Sequence, residues 1–239
     1  APGKVIGFYC FNLSMFKMPN LGFPRIDKFR AKFLLETIEN LKEDLKKINI
    51  TLIIKIGDPV EELTKIISQQ KIKNIFFQKE WTQEEVDEED QLKSKCNDKN
   101  FKSFYSQFLY DPDDLDINNI SNVFTNFRKH CEKKLKVKDL VESPKKLLDD
   151  NLLRDDYLIP SLSDLGLEDF EMDSRSAFKF KGGCNAAKER LDFYLWQSKK
   201  INFYKQTRNG LIGQDYSSKF SSWLSNGSIS VSYTHLRAH

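Results

Sequence analysis

The segment TLIIKIGDPVEELTKIISQQKIKNIFFQ, residues 51–78, decides the fold of this chain. It opens with TLIIKIG, an apolar run rich in β-branched residues that is typical of a buried strand. Asp58 and Pro59 then supply an N-cap and a first-turn proline for a helix over residues 60–70. NIFFQ closes the segment as a second strand. A strand, a helix and a strand in this order predict a right-handed crossover within a parallel sheet.

The flanking sequence continues this alternation on both sides. KVIGFYCF (4–11) reads as an earlier strand, and apolar residues recur every three to four positions over 26–48, which predicts a long amphipathic helix. An acidic segment and another helix follow NIFFQ, and SFYSQFLY (103–110) predicts a fourth strand. We therefore expect an α/β fold with a doubly wound parallel sheet over residues 1–115. Ligands of such sheets bind beyond the carboxyl ends of the strands, but neither Gly-x-Gly-x-x-Gly nor a Walker loop is present.

The remainder of the chain has a different pattern. Residues 116–184 comprise one predicted amphipathic helix (123–135) and a charged connecting segment (137–175) that lacks a sustained period. Residues 185–230 are α-rich, with helices predicted over 186–199 and 215–226. We interpret this part as the beginning of an all-α domain. The tail 231–239 (VSYTHLRAH) is atypical and is expected to be a cloning, splicing or assembly artefact.

Composition excludes several classes of protein. The 239 residues are 39% hydrophobic and 31% charged, which is typical of a globular protein. Four widely spaced cysteines without Cys-x-x-Cys argue against a disulfide framework or a zinc site. Of only three histidines, two lie in the last five residues, which argues against Ser-His-Asp hydrolysis. No apolar stretch reaches the roughly 18 residues of a membrane span. We therefore expect no metal and no membrane partner, and an intracellular location.

Charge is unevenly distributed around the net value of +3. Residues 80–90 carry seven carboxylates and no base. Residues 175–219 carry ten bases against three carboxylates, a local balance of +7. A solvated helical surface is the ordinary explanation for both runs. The basic run is also compatible with a polyanionic partner.

The segment YKQTRNGLIGQDYSSKFS (204–221) is the strongest candidate for a functional site. Its two glycines indicate a turn, and Asp215 is placed to cap a following helix. The hydroxyls of the serines after Asp215, with Lys219 among them, would then lie beside the free N–H groups of a helix N-terminus. That combination suits a phosphate or pyrophosphate. Simple helix capping is the alternative explanation.

Six blocks of the sequence, in order, resemble the photolyase/cryptochrome family and its cryptochrome DASH branch. They are YCFNLSMF (9–16), GFPRIDKFRAKFLLETIENL (22–41), FFQKEWTQEEVD (76–87), VFTNFRK (123–129), FKGGCNAAKERLDFYLW (180–196) and FYKQTRNGLIGQDYSSKFSSWLSNGSIS (203–230). The resemblance covers residues 4–230. It implies an α/β antenna domain followed by an all-helical FAD domain.

The resemblance also implies an activity and its residues. Family members use blue light and reduced FAD to split cyclobutane pyrimidine dimers, and the DASH branch is associated with single-stranded DNA. The implied FAD contacts are Tyr204, Ser217, Ser218, Lys219, Phe220 and Ser221. Arg208 falls at an implied DNA-backbone contact, and Glu80 at an implied contact to a methenyltetrahydrofolate antenna, with Thr82 or Glu84 as alternatives.

The departures from the family pattern lead to further expectations. The first family strand is absent before Ala1, and the family pattern stops after Ser230, so most of the FAD domain is missing. We expect no catalytic residue within this chain, no stable FAD binding and no repair by the chain alone. The three tryptophans are expected to serve packing rather than electron transfer. A DASH-type photolyase is the first hypothesis, a blue-light receptor of the same family the second, and a generic α/β nucleotide-binding module the third.

Overall fold

A computed structural model describes residues 3–17 and 22–238. The strands and helices, in chain order, are β1 (Ile6–Asn12), α1 (Lys28–Lys47), β2 (Thr51–Gly57), α2 (Pro59–Gln69), β3 (Asn74–Gln78), α3 (Gln83–Lys95), β4 (Asn100–Phe104), α4 (Phe124–Lys134), α5 (Cys184–Asp192), α6 (Tyr204–Thr207), α7 (Ser221–Ser225) and α8 (Val231–Ala238). The alternation predicted for the first third of the chain is confirmed. Among the described residues, no helix is both long and apolar enough to cross a bilayer.

The described strands form two parallel pairs. In one pair, β1 runs alongside β2 from Ile6 opposite Thr51 onward. In the other, β3 runs alongside β4, from Asn74 opposite Asn100 onward. Between the pairs lies a cavity of about 220 Å³, lined by Phe8 of β1 together with residues of β3, α2 and α3. The prediction of parallel strands joined by helical crossovers is therefore confirmed.

The predicted fourth strand was wrong in position. It was expected over residues 103–110, whereas β4 is Asn100–Phe104. Its length is set by β3, which has only five residues and pairs with β4 as far as Phe104. Beyond Phe104, the rings of Tyr105 and Phe108 turn onto Trp81, with Phe108 stacked at 4.8 Å between centroids.

Helix α2 begins as its sequence predicts. Oδ1 of Asp58 accepts a hydrogen bond of 2.9 Å from the N–H of Glu61, and Pro59 occupies the first turn. This cap satisfies one of the N–H groups that a helix leaves unpaired at its start. Val60 and Ile67 on the buried face of α2 pack with Ile75 of β3 and Leu92 of α3.

A second apolar core lies between α1, the strands β1 and β2, and the connecting segment. Ala31 and Ile38 of α1 pack in one cluster with Phe11 of β1 and with Leu162 and Leu165. The segment 137–175 is irregular as expected, yet it contributes to this core. It is also anchored by polar contacts: the side-chain amide of the buried Asn151 donates to the carbonyl oxygens of Asn49 (2.6 Å) and Val5 (2.9 Å).

Helix α1 meets the start of α5 through two glycines. The N–H of Gly182 donates to Oε2 of Glu36 at 2.7 Å, and the N–H of Gly183 donates to Oγ1 of Thr37 at 3.0 Å. A Cβ on Gly182 would lie 2.0 Å from the carbonyl oxygen of Phe33. Only glycine allows the two backbones to approach this closely.

The C-terminal region departs from the sequence-based expectation in one important place. The helix predicted over 186–199 is present as α5 followed by a π-helical turn, Phe193–Gln197, which ends near Lys199 at a positive φ of 52°. The helix predicted over 215–226 is instead the five-residue α7, Ser221–Ser225. The tail expected to be atypical forms α8, in which Arg237 pairs with Asp192 and Tyr233 packs near Leu191 and Tyr194. Residue 239 lies outside the described residues.

Candidate functional site

The residues predicted to contact FAD and DNA lie in and around a loop, residues 208–220, between α6 and α7. Oγ1 of Thr207 donates to the carbonyl oxygen of Tyr216 at 2.9 Å, which folds the loop back on α6. A Cβ on Gly210 would lie 3.1 Å from Cβ of Tyr216, so glycine permits this close return. Gly213 has a φ of 86°, a conformation that favours glycine. The turn predicted from these two glycines is confirmed.

The capping role expected for Asp215 was wrong. Because α7 begins only at Ser221, no helix follows Asp215 directly. Its carboxylate instead forms an ion pair with Arg190 of α5, with 2.7 Å between Oδ1 and Nη1. The serines 217 and 218 therefore lie in the loop itself and not in the first turn of a helix.

Arg190 is buried, and it binds the loop at four points. Nε donates to the carbonyl oxygen of Ser218 at 3.0 Å, and Nη2 donates to those of Gln214 (3.0 Å) and Ser217 (3.1 Å). Nη1 completes the set with its bond to Asp215. The guanidinium carbon also lies 4.7–5.4 Å from the ring centroids of three aromatic residues, an arrangement that stabilises a desolvated cation. Those rings belong to Phe180, Phe193 and Tyr194.

The loop presents donors on the side away from Arg190. A trans peptide directs the C=O of one residue and the N–H of the next in opposite directions. Because the carbonyls of Ser217 and Ser218 point at Arg190, the N–H groups of Ser218 and Lys219 point away from it. Lys219 has a φ of 64° and is followed by Phe220 in the right-handed region, a sequence that turns successive N–H groups towards one side.

The side chains add to this donor set. Within the described part of the chain, the hydroxyls of Ser217, Ser218 and Ser221 make no hydrogen bond to protein atoms. The ammonium of Lys219 lies over the ring of Tyr216, 3.5 Å from its centroid. Hydroxyls, outward N–H groups and a nearby cation together suit the oxygens of a phosphate or pyrophosphate.

Phe220 and Tyr204 differ in their surroundings. The ring of Phe220 packs between two apolar clusters and contacts Tyr194 edge-on, with 6.0 Å between centroids. This packing anchors the end of the loop. Tyr204 begins α6 and is exposed, while its carbonyl oxygen accepts from the N–H of Arg208 at 2.8 Å.

Arg208 is exposed and forms no ion pair with the acidic side chains that the structure describes. Most bases of the run that contains it are also exposed; the exposed members are Arg175, Lys179, Lys181, Lys188, Lys199, Lys205 and Arg208. Arg190 does not belong to this surface, because it is buried and paired with Asp215. The exposed basic surface therefore depends on the other residues of the run.

Glu80 lies just after the carboxyl end of β3, within a network of amides. Its carboxylate accepts from the side-chain amide of Gln78 and, at 3.5 Å, from that of Gln107. Glu80 also borders the 220 Å³ cavity between the two strand pairs. The alternative residue Glu84 is already paired with Arg25, whose hydrogen bond holds the pKa of that carboxyl below its usual value. Thr82 precedes α3 without forming a side-chain cap.

The three tryptophans occupy different environments. Trp223 is fully buried among aromatic rings, and its Nε1–H donates to the carbonyl oxygen of Lys181 at 3.1 Å. Trp81 stacks on Phe108 but is half exposed, as is Trp196. The role of Trp223 is therefore packing. The rings of Trp81 and Trp196 are packed against protein only in part.

A larger cavity of about 480 Å³ lies beyond the carboxyl end of β1. About half of its lining residues belong to β1 and α1, and several of these are aromatic; Ser222 and Asn226 also line it. None of the residues predicted from the sequence to bind FAD, folate or DNA lines it. Arg190 was not predicted as a functional residue, because its role depends on contacts with residues 24 to 28 positions further along the chain.

Comparison with known proteins identifies the class. Residues 1–146 match the family described as DNA photolyase. This match covers more than half of the chain, and the chain belongs to that family. It removes the basis for the third hypothesis, a generic α/β module.

Within the family, the chain is similar to proteins named cryptochrome DASH. Those of Gloeobacter violaceus and Danio rerio are 37% and 34% identical to it, each over 97% of this chain. The crystal structure of the Synechocystis cryptochrome superposes with a TM-score of 0.90 at 32% identity, over 98% of this chain and 49% of that chain. A class III photolyase from Agrobacterium tumefaciens, at 20% identity and a TM-score of 0.75, shares the fold.

The chain spans about half the length of the curated relatives it matches. It covers 47% of the Gloeobacter protein and 46% of the Danio protein. The matches include both the α/β part and the helices that follow it.

Proposed function

We propose that this chain is part of a DASH-type photolyase that splits cyclobutane pyrimidine dimers in single-stranded DNA under blue light. The observation that carries the proposal is the loop 217–221, which offers outward N–H groups and hydroxyls without a partner among the described residues, and which follows a run of exposed bases in the chain. The family match supports the class of activity. FAD, when bound, would supply the light-driven electron transfer.

The proposed task of the loop is to hold the pyrophosphate of FAD. Ser217, Ser218 and Ser221 would donate through their hydroxyls, and Lys219 through its backbone N–H. Phe220 would fix the position of the loop through its packing against Tyr194. The exposed ring of Tyr204 completes the proposed contacts.

The proposed DNA contact is Arg208, on the exposed basic surface. An unpaired guanidinium can donate two parallel hydrogen bonds to a phosphate. The neighbouring lysines would add a sequence-independent attraction that weakens with salt. This surface and the FAD loop are consecutive in the chain, which would bring the cofactor and the nucleic acid to the same region.

For the antenna we propose methenyltetrahydrofolate, with Glu80 as a contact. Its carboxylate accepts from two side-chain amides and keeps lone pairs for further donors, so it can accept from the N–H groups of a pterin. Glu80→Gln should reduce folate retention while leaving FAD content unchanged. Equal folate content in the variant would contradict this assignment.

We also propose that the chain alone neither holds FAD stably nor repairs DNA. Leu211 and Ile212 in the loop are 87% and 94% exposed, and Phe203 and Trp196 are also exposed. Such apolar side chains normally pack against other protein. A monomeric flavoprotein obtained from this chain alone would contradict the proposal.

The decisive experiment is a repair assay with the full-length protein containing this chain. A dimer-containing single-stranded oligonucleotide is incubated with it under blue light and in the dark, and restored thymines are quantified. Light-dependent reversal supports the photolyase. Absence of reversal, with light-dependent reduction of bound FAD retained, would favour a blue-light receptor of the same family instead.

A further inference from the structure

We propose that Arg190 is the positioning residue that shapes the cofactor loop, although it does not itself contact the cofactor. This inference rests on the proposed function of the loop. The inference goes beyond the proposed function because Arg190, although it lies within the block 180–196, is not among the predicted contacts to FAD, folate or DNA. It identifies why the loop donors face outward.

The geometry of the guanidinium is matched to the loop backbone. Four of its five N–H groups are used, three on carbonyls and one on the carboxylate of Asp215. The carbonyls belong to Gln214, Ser217 and Ser218, so with Asp215 a single side chain collects acceptors from four residues within a five-residue stretch. A loop of this length has no helix or sheet to satisfy those carbonyls, and Arg190 replaces that missing partner.

The consequence is a fixed polarity of the loop. With its carbonyls directed at a buried cation, the loop exposes N–H groups and hydroxyls on the opposite side. An anionic ligand would be repelled by outward carbonyls and is attracted by outward N–H groups. Arg190 therefore favours anion binding without touching the anion, while Asp215 balances its charge.

Lysine cannot replace arginine here. An ammonium has three donors that radiate from one point, whereas the planar guanidinium reaches acceptors on two of its edges. Arg190→Lys keeps the positive charge but loses the planar arrangement of donors. If Arg190 only balanced the charge of Asp215, the loop would be unaffected by this change; if Arg190 positions the loop, the loop is loosened. Arg190→Met removes both the charge and the donors.

The test uses the full-length protein containing this chain, first freed of FAD. The rate of tryptic cleavage after Lys219 reports how firmly the loop is held, and cleavage within α1 reports global stability. We expect Arg190→Lys and Arg190→Met to accelerate cleavage after Lys219 about tenfold or more, with cleavage in α1 unchanged. If Arg190→Met does not fold, Asp215→Asn removes the counter-charge from the loop side and should also accelerate cleavage after Lys219.

The matched control is Arg128→Met, which removes an arginine–carboxylate pair on α4 but no bond to a loop carbonyl. It should leave cleavage after Lys219 unchanged. Equal rates in wild type and Arg190→Lys would overturn the inference.

A second measurement separates this inference from the proposed function. Equilibrium dialysis should show FAD binding about tenfold or more weaker in Arg190→Lys than in wild type. If wild type itself fails to bind FAD, the proposed function fails. If wild type binds FAD and Arg190→Lys binds it equally well, the positioning role fails while the proposed function stands.

Discussion

Replacement of Gly182 by alanine tests whether close backbone contact joins the α/β part to the helical part. A methyl group on Gly182 would lie 2.0 Å from the carbonyl oxygen of Phe33 and 2.6 Å from Oγ1 of Thr37. Carbon and carbonyl oxygen atoms normally approach to about 3.3 Å, so the backbones must separate by roughly 1.3 Å at that point. The nearest atom belongs to the backbone of α1, which cannot move aside as a side chain can.

The energetic cost has two parts. Overpacking of a close contact costs about 1–3 kcal/mol. Separation also stretches the hydrogen bond from Gly182 to Glu36 (2.7 Å) and the one from Gly183 to Thr37 (3.0 Å). The first, to a carboxylate, contributes about 1.5–3 kcal/mol and the second about 0.5–1.5 kcal/mol. Allowing for partial relaxation, we expect a loss of about 3–5 kcal/mol in the free energy of unfolding.

The assay is urea denaturation followed by far-UV circular dichroism, which gives the midpoint and the slope for each variant. Gly3→Ala is the matched control, because a Cβ there meets nothing within 4 Å. It should leave the midpoint unchanged. A Gly182→Ala variant that loses less than about 1 kcal/mol would refute the reasoning, since it would show that α1 and α5 separate freely.

Three further predictions concern stability. Trp223→Ala should lower the free energy of unfolding in urea by about 3–5 kcal/mol, because it empties a fully buried site and leaves the carbonyl of Lys181 unpaired. Trp81→Ala, at a half-exposed ring, should lower it markedly less. Equal losses would contradict a packing role specific to Trp223. Asp58→Ala should cost about 1 kcal/mol through loss of the α2 cap, and Asp58→Asn should restore most of it. Burial, together with the nearby carboxylates of α2 and α3, raises the pKa of the Cys10 thiol from 9.0 to about 11. Because the unfolded chain then releases this proton at lower pH than the native state, stability should fall between pH 9 and 11. Cys10→Ala should reduce that fall, and an unchanged pH profile would argue against a raised pKa of the half-buried thiol.

The sequence predicted those features that depend on neighbours in the chain. β2 and β3 occupy the predicted residues, and Asp58 caps α2, because an apolar run and an N-cap act over a few residues. The predicted turn in the loop after α6 is present for the same reason, since Gly213 adopts a positive φ. Local pattern was sufficient in each case.

Features that depend on distant partners were missed or misplaced. The position of β4 is set by its pairing with β3, and its own composition extended the predicted strand too far. Asp215 satisfies the local rule for a cap, yet its carboxylate is used by Arg190, which lies 25 positions earlier. A short polar side chain before a run of serines cannot reveal such a partner, because the competing ion pair forms only after α5 has packed against the loop.

The loop is connected to the α/β part by a continuous series of contacts. Thr37 of α1 accepts from the N–H of Gly183 and, at 3.1 Å, from the side-chain amide of Asn226 just after α7. One position on α1 therefore holds the start of α5 and the end of α7. Helix α5 contacts the loop through Arg190, and α7 follows the loop in the chain. Displacement of α5 by a methyl group on Gly182 would move Arg190 relative to α7. Gly182→Ala should consequently accelerate tryptic cleavage after Lys219 even at urea concentrations where the chain remains folded, and unchanged cleavage there would show that the loop is positioned by α5 and α7 alone.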